Sequence, residues 1–76
     1  MENRTLSTIA REISFDWKKV NFAAVPYLQA MATMESPQDN FGYDSGQSVV
    51  IYFLSNATSW RGDVARRIKK ELKAII

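Results

Sequence analysis

The last seventeen residues constrain the fold most. From Trp60 to Ile76, the positions Val64, Ile68, Leu72 and Ile75 or Ile76 recur at three- and four-residue intervals, with Ala65 beside them. That interval lays them along one stripe of an α-helix. A helix of this length draws most of its stability from burying such a stripe, so it needs partners. Thr58 or Ser59 is placed to cap its start, and Asp63 suits the positive end of the helix dipole. The same spacing runs through Leu6, Ile9, Ala10, Ile13, Trp17 and Val20. It predicts a helix over about 5–20, with Asn3 or Thr5 as N-cap and Phe15 opposite the stripe.

Two further segments supply the partners. Pro26 suits a first helical turn and disfavours helix in the residue before it, so a helix is expected from Val25–Pro26 to about 34, after a bend over 21–24. Leu28, Met31 and Ala32 should face inward, flanked by Tyr27 and Met34. The polar stretch 35–42, broken by Pro37 and Gly42, reads as a loop. Ser48 to Leu54 is β-branched and aromatic, and alone it could read as a buried strand. Helix over about 45–56 is the better reading. Asp44 with Gln47 three residues on forms a capping-box arrangement, and no second alternating segment offers a strand to pair with. The expected fold is all-α: one compact four-helix domain over 1–76, with helices near 5–20, 25–34, 45–56 and 60–75. Short connections should set consecutive helices antiparallel or nearly so, with Trp17, Leu28, Met31, Phe53, Ile68 and Leu72 in one core.

With 46% hydrophobic and 24% charged residues, the chain has a globular balance rather than a disordered one. It has no Cys and no His, which removes disulfides, the usual zinc ligands, and Ser-His-Asp or Cys-His catalysis. Gly42 to Ser48 superficially resembles a phosphate loop. It is one residue short, and Gln47 stands where the phosphate-reaching Lys belongs. Ser45 beside Gly46 fails as a nucleophile elbow, and Phe41, Tyr43 and Asp44 break a calcium loop starting at Asp39. Glu35, Asp39 and Asp44 read as solvated or capping carboxylates. No enzyme activity, cofactor or metal is therefore expected. The first residues lack the apolar stretch of a secretory signal, and the longest apolar run, Val49 to Leu54, is six residues against the ~20 needed to cross a bilayer. A cytoplasmic location is expected, with Asn56-Ala57-Thr58 a chance sequon.

The charge distribution is lopsided. Residues 60–76 carry Arg61, Arg66, Arg67, Lys69, Lys70 and Lys73 against Asp63 and Glu71, a balance of +4, while residues 1–59 balance at −2. On a helix the cations from Arg66 onward fall opposite the Val64–Ile68–Leu72 stripe. Such a face can neutralise phosphates, or it can simply be solvated. The third and fourth segments, joined through 56–59, have the length of a helix-turn-helix, a motif whose turn often carries the Gly that this one lacks. Trp60 is expected to staple the corner between them, with Arg61 and Gly62 in the first turn of the last helix.

Three stretches of the first half carry a family likeness: Ile9-Ala10-Arg11-Glu12-Ile13, Asp16-Trp17-Lys18-Lys19-Val20 and Ala24-Val25-Pro26-Tyr27-Leu28-Gln29-Ala30-Met31. Three more follow in the second: Tyr52-Phe53-Leu54-Ser55-Asn56-Ala57, Trp60-Arg61-Gly62 and the run from Ala65 to Lys73. Together they resemble a family of short proteins encoded by phages and integrated mobile elements of Gram-positive bacteria. The likeness spans about 9–74 and implies a small accessory protein in a bacterial cytoplasm, without assigning site residues. Two functions are expected from this. The first is binding of a host or element-encoded protein through an exposed aromatic patch such as Phe15, Phe41 and Tyr43. The alternative is nucleic-acid binding through the basic face of the last helix.

Overall fold

Thr5 opens the first helix, α1 (Leu6–Asp16), its hydroxyl accepting from the Thr8 amide at 3.1 Å. The computed structural model describes residues 4–76, with the Phe41 side chain excepted; Asn3, the other cap candidate, lies outside the described residues. The Leu6 and Ser7 amides donate to the Glu35 and Met34 carbonyls at 2.9 and 2.8 Å, which ties the middle loop to the start of α1. α1 stops at Asp16, four residues short of the expected end. Trp17 leaves the helical conformation to stack on Trp60, ring centroids 5.6 Å apart, while Asp16 accepts from Trp60 Nε1 at 2.8 Å. Tertiary packing overrides the periodicity there, and Val20 packs on the core from outside the helix.

The expected bend is a 3-10 turn, Phe22–Ala24, capped by Asn21, which also donates to the Asn56 carbonyl at 3.1 Å. It feeds directly into α2 (Val25–Met31), with Pro26 in the first turn as the sequence requires. α2 ends three residues early, because Thr33 and Met34 turn back onto the Ala30 and Met31 carbonyls. Ala30, not Ala32, is the buried alanine; the turn after Met31 swings Ala32 outward.

Residues 35–45 hold the one feature absent from the sequence reading. Two short antiparallel strands, β1 (Asn40–Phe41) and β2 (Asp44–Ser45), pair Asn40 with Ser45 and Phe41 with Asp44. Gly42, at φ 64°, takes the first position of the two-residue loop, where a positive φ is needed. The segment after it is helical, α3 (Gly46–Ser55), and its cap is Ser45 rather than Asp44: the Ser45 hydroxyl accepts from the Ser48 amide at 3.1 Å. Asp44 instead belongs to β2.

The connection 56–62 is a seven-residue loop, and α4 (Asp63–Ile75) starts three residues later than expected. Trp60 is drawn into the core, its amide donating to the Ala57 carbonyl at 3.1 Å in a turn ahead of the helix. Thr58 and Ser59 therefore do not cap α4. Gly62 does, at φ 112° and without a side-chain bond, so neither Arg61 nor Gly62 lies in the first turn. The principal helix neighbours run α3–α2–α1–α4, so α4 packs chiefly on α1 and not on α3. A helix-turn-helix needs a short turn and two mutually packed helices, and the 56–62 loop provides neither.

The result is a single all-α domain with a minimal hairpin. All six expected core residues are buried together, with Trp17, Phe53 and Trp60 meeting ring to ring. No helix among the described residues is long and apolar enough to cross a membrane.

Candidate binding surface

α4 turns about 100° per residue, so its polar side divides into two flanks about the buried Ala65, Ile68 and Leu72. Arg67 and Glu71, four residues apart, lie on the flank facing α1. Arg66, Lys69, Lys70 and Lys73 lie on the other. The two flanks have different fates.

The α1-facing flank is neutralised. Arg67 Nη2 donates to Glu12 Oε2, and the other oxygen of Glu12 accepts from Arg4 Nη1 at 2.8 Å. Arg4 then grips Glu71 with Nε and Nη2, at 2.9 and 2.6 Å. This chain of two arginines and two carboxylates staples residue 4, α1 and α4 together. The Arg67 and Arg4 guanidiniums hold the Glu12 carboxyl below its ordinary pKa, Arg4 does the same for Glu71, and Arg4 is raised in return by Glu71 and Glu12. Of the six candidate cations, Arg67 is thus a structural residue.

The outer flank stays open. Arg66 reaches Asp63 at 3.5 Å, but the two side chains are 79% and 98% exposed, so the pair holds neither in place. Lys69 is half-buried: its ammonium donates to the Trp60 carbonyl at 2.6 Å and sits 5.9 Å from the Trp60 ring centroid. Burial, and then the charges of Lys73 and Arg61, push its pKa below the ordinary lysine value. Arg61, Lys70 and Lys73 are exposed and make no hydrogen bond or ion pair among the described residues. A pocket of about 290 Å³ lies at the start of this flank, lined by Trp60, Arg61, Gly62, Ala65, Arg66 and Lys69. The structure therefore joins five of the six sequence candidates along one edge.

The aromatic candidates are not gathered in this way. Phe15 is exposed near the C-terminal end of α1 beneath the Lys18 ammonium, 4.7 Å from its ring centroid. Tyr43 is exposed at the hairpin turn, which follows the loop bonded to the opposite end of α1. The Phe41 side chain lies outside the described residues. A different aromatic surface appears on α2 and α3, where Tyr27 and Tyr52 rings lie 5.4 Å apart beside the exposed Ile51.

The loop carboxylate Asp39 is a turn-former, accepting from the Glu35 and Ser36 amides at 2.9 and 3.3 Å, which holds its pKa low. Among the described residues, no three acidic, His or Cys side chains gather so as to hold a metal ion. Sequence reasoning missed Glu12 and Arg4 because their partners are 55 and 67 residues away. No protein-family model, no curated protein and no solved structure matches this chain.

Proposed function

We propose that the chain is a small non-catalytic binding protein whose working surface is the outer flank of α4, and that this flank contacts the phosphate backbone of nucleic acid. The observation behind this is the asymmetry of α4. One flank is neutralised by Glu12 while the other presents Arg61, Arg66, Lys69, Lys70 and Lys73 against a single exposed carboxylate, Asp63. A row of cations without an apolar anchor suits phosphates better than a protein partner, whose binding energy comes from buried aromatic and apolar contacts. The residue resemblance adds the setting: an accessory protein of a phage or mobile element in a bacterial cytoplasm, acting without cofactor.

The test is binding of random duplex DNA against salt. Five phosphate contacts give a slope of about −4.5 in log affinity against log salt, or about a 500-fold loss between 50 and 200 mM. Absence of any affinity at the lower salt refutes the nucleic-acid reading. The second reading, a host or element-encoded protein partner, draws on the exposed Tyr27–Tyr52–Ile51 surface. It expects substitutions at Tyr52 and Ile51 to abolish partner binding and substitutions on α4 to spare it.

A further inference from the structure

We propose that the pocket between Trp60 and the start of α4 is a seat for one phosphate group, held by Arg61, Arg66 and Lys69. This rests on the nucleic-acid reading of the outer flank and names the point on that flank where a phosphate is anchored.

The pocket has a rigid floor. Trp60 is 2% exposed, stacked on Trp17 at 5.6 Å, met edge-on by Phe53 at 6.4 Å, and held by Asp16 through its indole N–H at 2.8 Å. It carries one preset donor: the Lys69 ammonium is fixed on the Trp60 carbonyl by one of its three N–H bonds, leaving two for a ligand. The two arginines on the rim are exposed and add planar forks that match phosphate oxygens in pairs. No carboxylate lines the pocket. Burial, and after it the charges of Lys73 and Arg61, disfavour the Lys69 cation in the free protein, and an anion in the pocket offsets them. The volume of about 290 Å³ lies at the small end of ligand sites, which run from about 300 to 1,000 Å³. It has room for a single phosphate group. That phosphate belongs either to a nucleic-acid backbone or to a free phosphorylated compound.

The experiment uses the full chain, with backbone and indole N–H resonances followed by heteronuclear NMR during titration with inorganic phosphate at constant ionic strength. Random duplex DNA is titrated in parallel. Two double variants, Arg61→Gln with Arg66→Gln and Lys70→Gln with Lys73→Gln, remove equal charge from exposed positions, and their spectra report whether the fold persists. Phosphate is expected to move the Gly62 amide and the Trp60 indole in the wild type and in the Lys70/Lys73 variant. The Arg61/Arg66 variant should bind phosphate at least tenfold more weakly, and should lose more duplex affinity than the Lys70/Lys73 variant does.

Equal weakening by both variants would mean that only charge number matters, and it overturns the seat. Duplex binding with a steep salt slope, while phosphate leaves the Gly62 and Trp60 resonances still, also overturns the seat yet leaves the nucleic-acid reading standing. Phosphate seated in the pocket without duplex binding supports the seat, assigns it to a free phosphorylated compound, and refutes the nucleic-acid reading.

Discussion

Replacing Gly46 by Ala should destabilise the protein, although helix propensity alone argues the opposite. Gly46 is the first residue of α3, and Ala in a helix interior is worth up to about 1 kcal/mol over Gly. A Cβ at position 46, however, would sit 2.7 Å from the Ser36 carbonyl oxygen, 2.8 Å from Pro37 Cα and 2.9 Å from Pro37 C. All three are backbone atoms, so no side chain can rotate away. The loop is also held from several directions. The Gly46 amide donates to the Asp39 carbonyl at 2.6 Å, the Gln47 amide to Pro37 at 2.9 Å, and the Asp39 amide to Ser36 at 3.0 Å. Retreat of 36–37 from 2.7 Å to an ordinary contact of 3.4 Å or more stretches those bonds. Overpacking of this kind costs about 1–3 kcal/mol against a propensity gain of at most about 1 kcal/mol, leaving a net loss of up to about 2 kcal/mol. In a domain of this size each kcal/mol moves Tm by about 4–8 °C. The expected loss is therefore up to about 15 °C, read by thermal and urea denaturation followed by far-ultraviolet circular dichroism. An unchanged urea slope would confirm that stability, and not compactness, has altered. A Gly46→Ala protein that melts at or above the wild-type temperature refutes the close approach of α3 to the 36–37 backbone.

Gly62→Ala meets no atom, yet the backbone there, at φ 112° and ψ −179°, is a glycine conformation, so a loss of about 1–3 kcal/mol is expected. An unchanged Tm would mean that the entry to α4 is built differently. Acid should weaken the fold through Glu12 and Glu71. Their folded pKa values lie below the unfolded ones, so their stabilisation is complete above the unfolded value of about 4.3 and fades as pH falls through the folded values. Urea midpoints measured from pH 6 downward should fall less steeply for Glu12→Gln with Glu71→Gln than for wild type; parallel curves would contradict this. Arg67→Glu should lower stability, setting a carboxylate against Glu12, whereas Lys70→Glu should shift it by no more than about 0.5 kcal/mol. Both change α4 by the same charge, so equal effects on Tm would dismiss the staple.

The parts of the fold that sequence made legible are those ruled by local chemistry. Pro26 placed the start of α2, and the apolar intervals of α1 and α4 found Ile9, Ile13, Ile68 and Leu72. The β-branched run 48–54 resolved as helix because a strand without a partner cannot satisfy its backbone, and the only strands among the described residues are two residues long. What failed were element ends. α1 carries a periodic pattern to Val20, yet the stack of Trp17 on Trp60 unwinds it at Asp16. Residue 60 fits a helical start by spacing, yet the same stack pulls it into the core and delays α4 to Asp63. One long-range aromatic contact thus displaced two boundaries, and no local window contains it. The hairpin was hidden for a different reason: two-residue strands have no period to detect, and only the positive φ of Gly42 marks them.

The candidate site shows the same limit in electrostatic form. Six cations in the last segment look equivalent when counted, and helical spacing sets the five from Arg66 onward opposite the apolar stripe, although Lys69 is half-buried in the fold. Whether each is available to a partner depends on what the neighbouring helix places opposite it. Glu12 stands in α1 at the position that meets Arg67, and Arg4 occupies Glu71, so the carboxylates of one flank cancel its charge before any ligand arrives. On the other flank the nearest acid is Asp63, which is too exposed to fix Arg66. Trp60 completes the difference by offering its carbonyl to Lys69, which holds that ammonium at a pocket wall instead of letting it range through solvent. A basic segment becomes a directional surface only when its host fold neutralises part of it and positions the rest. In this chain α1 does the first and Trp60 does the second. The cations left open by the fold are then Arg61, Arg66, Lys69, Lys70 and Lys73, and a variant that reverses Arg67 among them would confuse a loss of fold with a loss of contact.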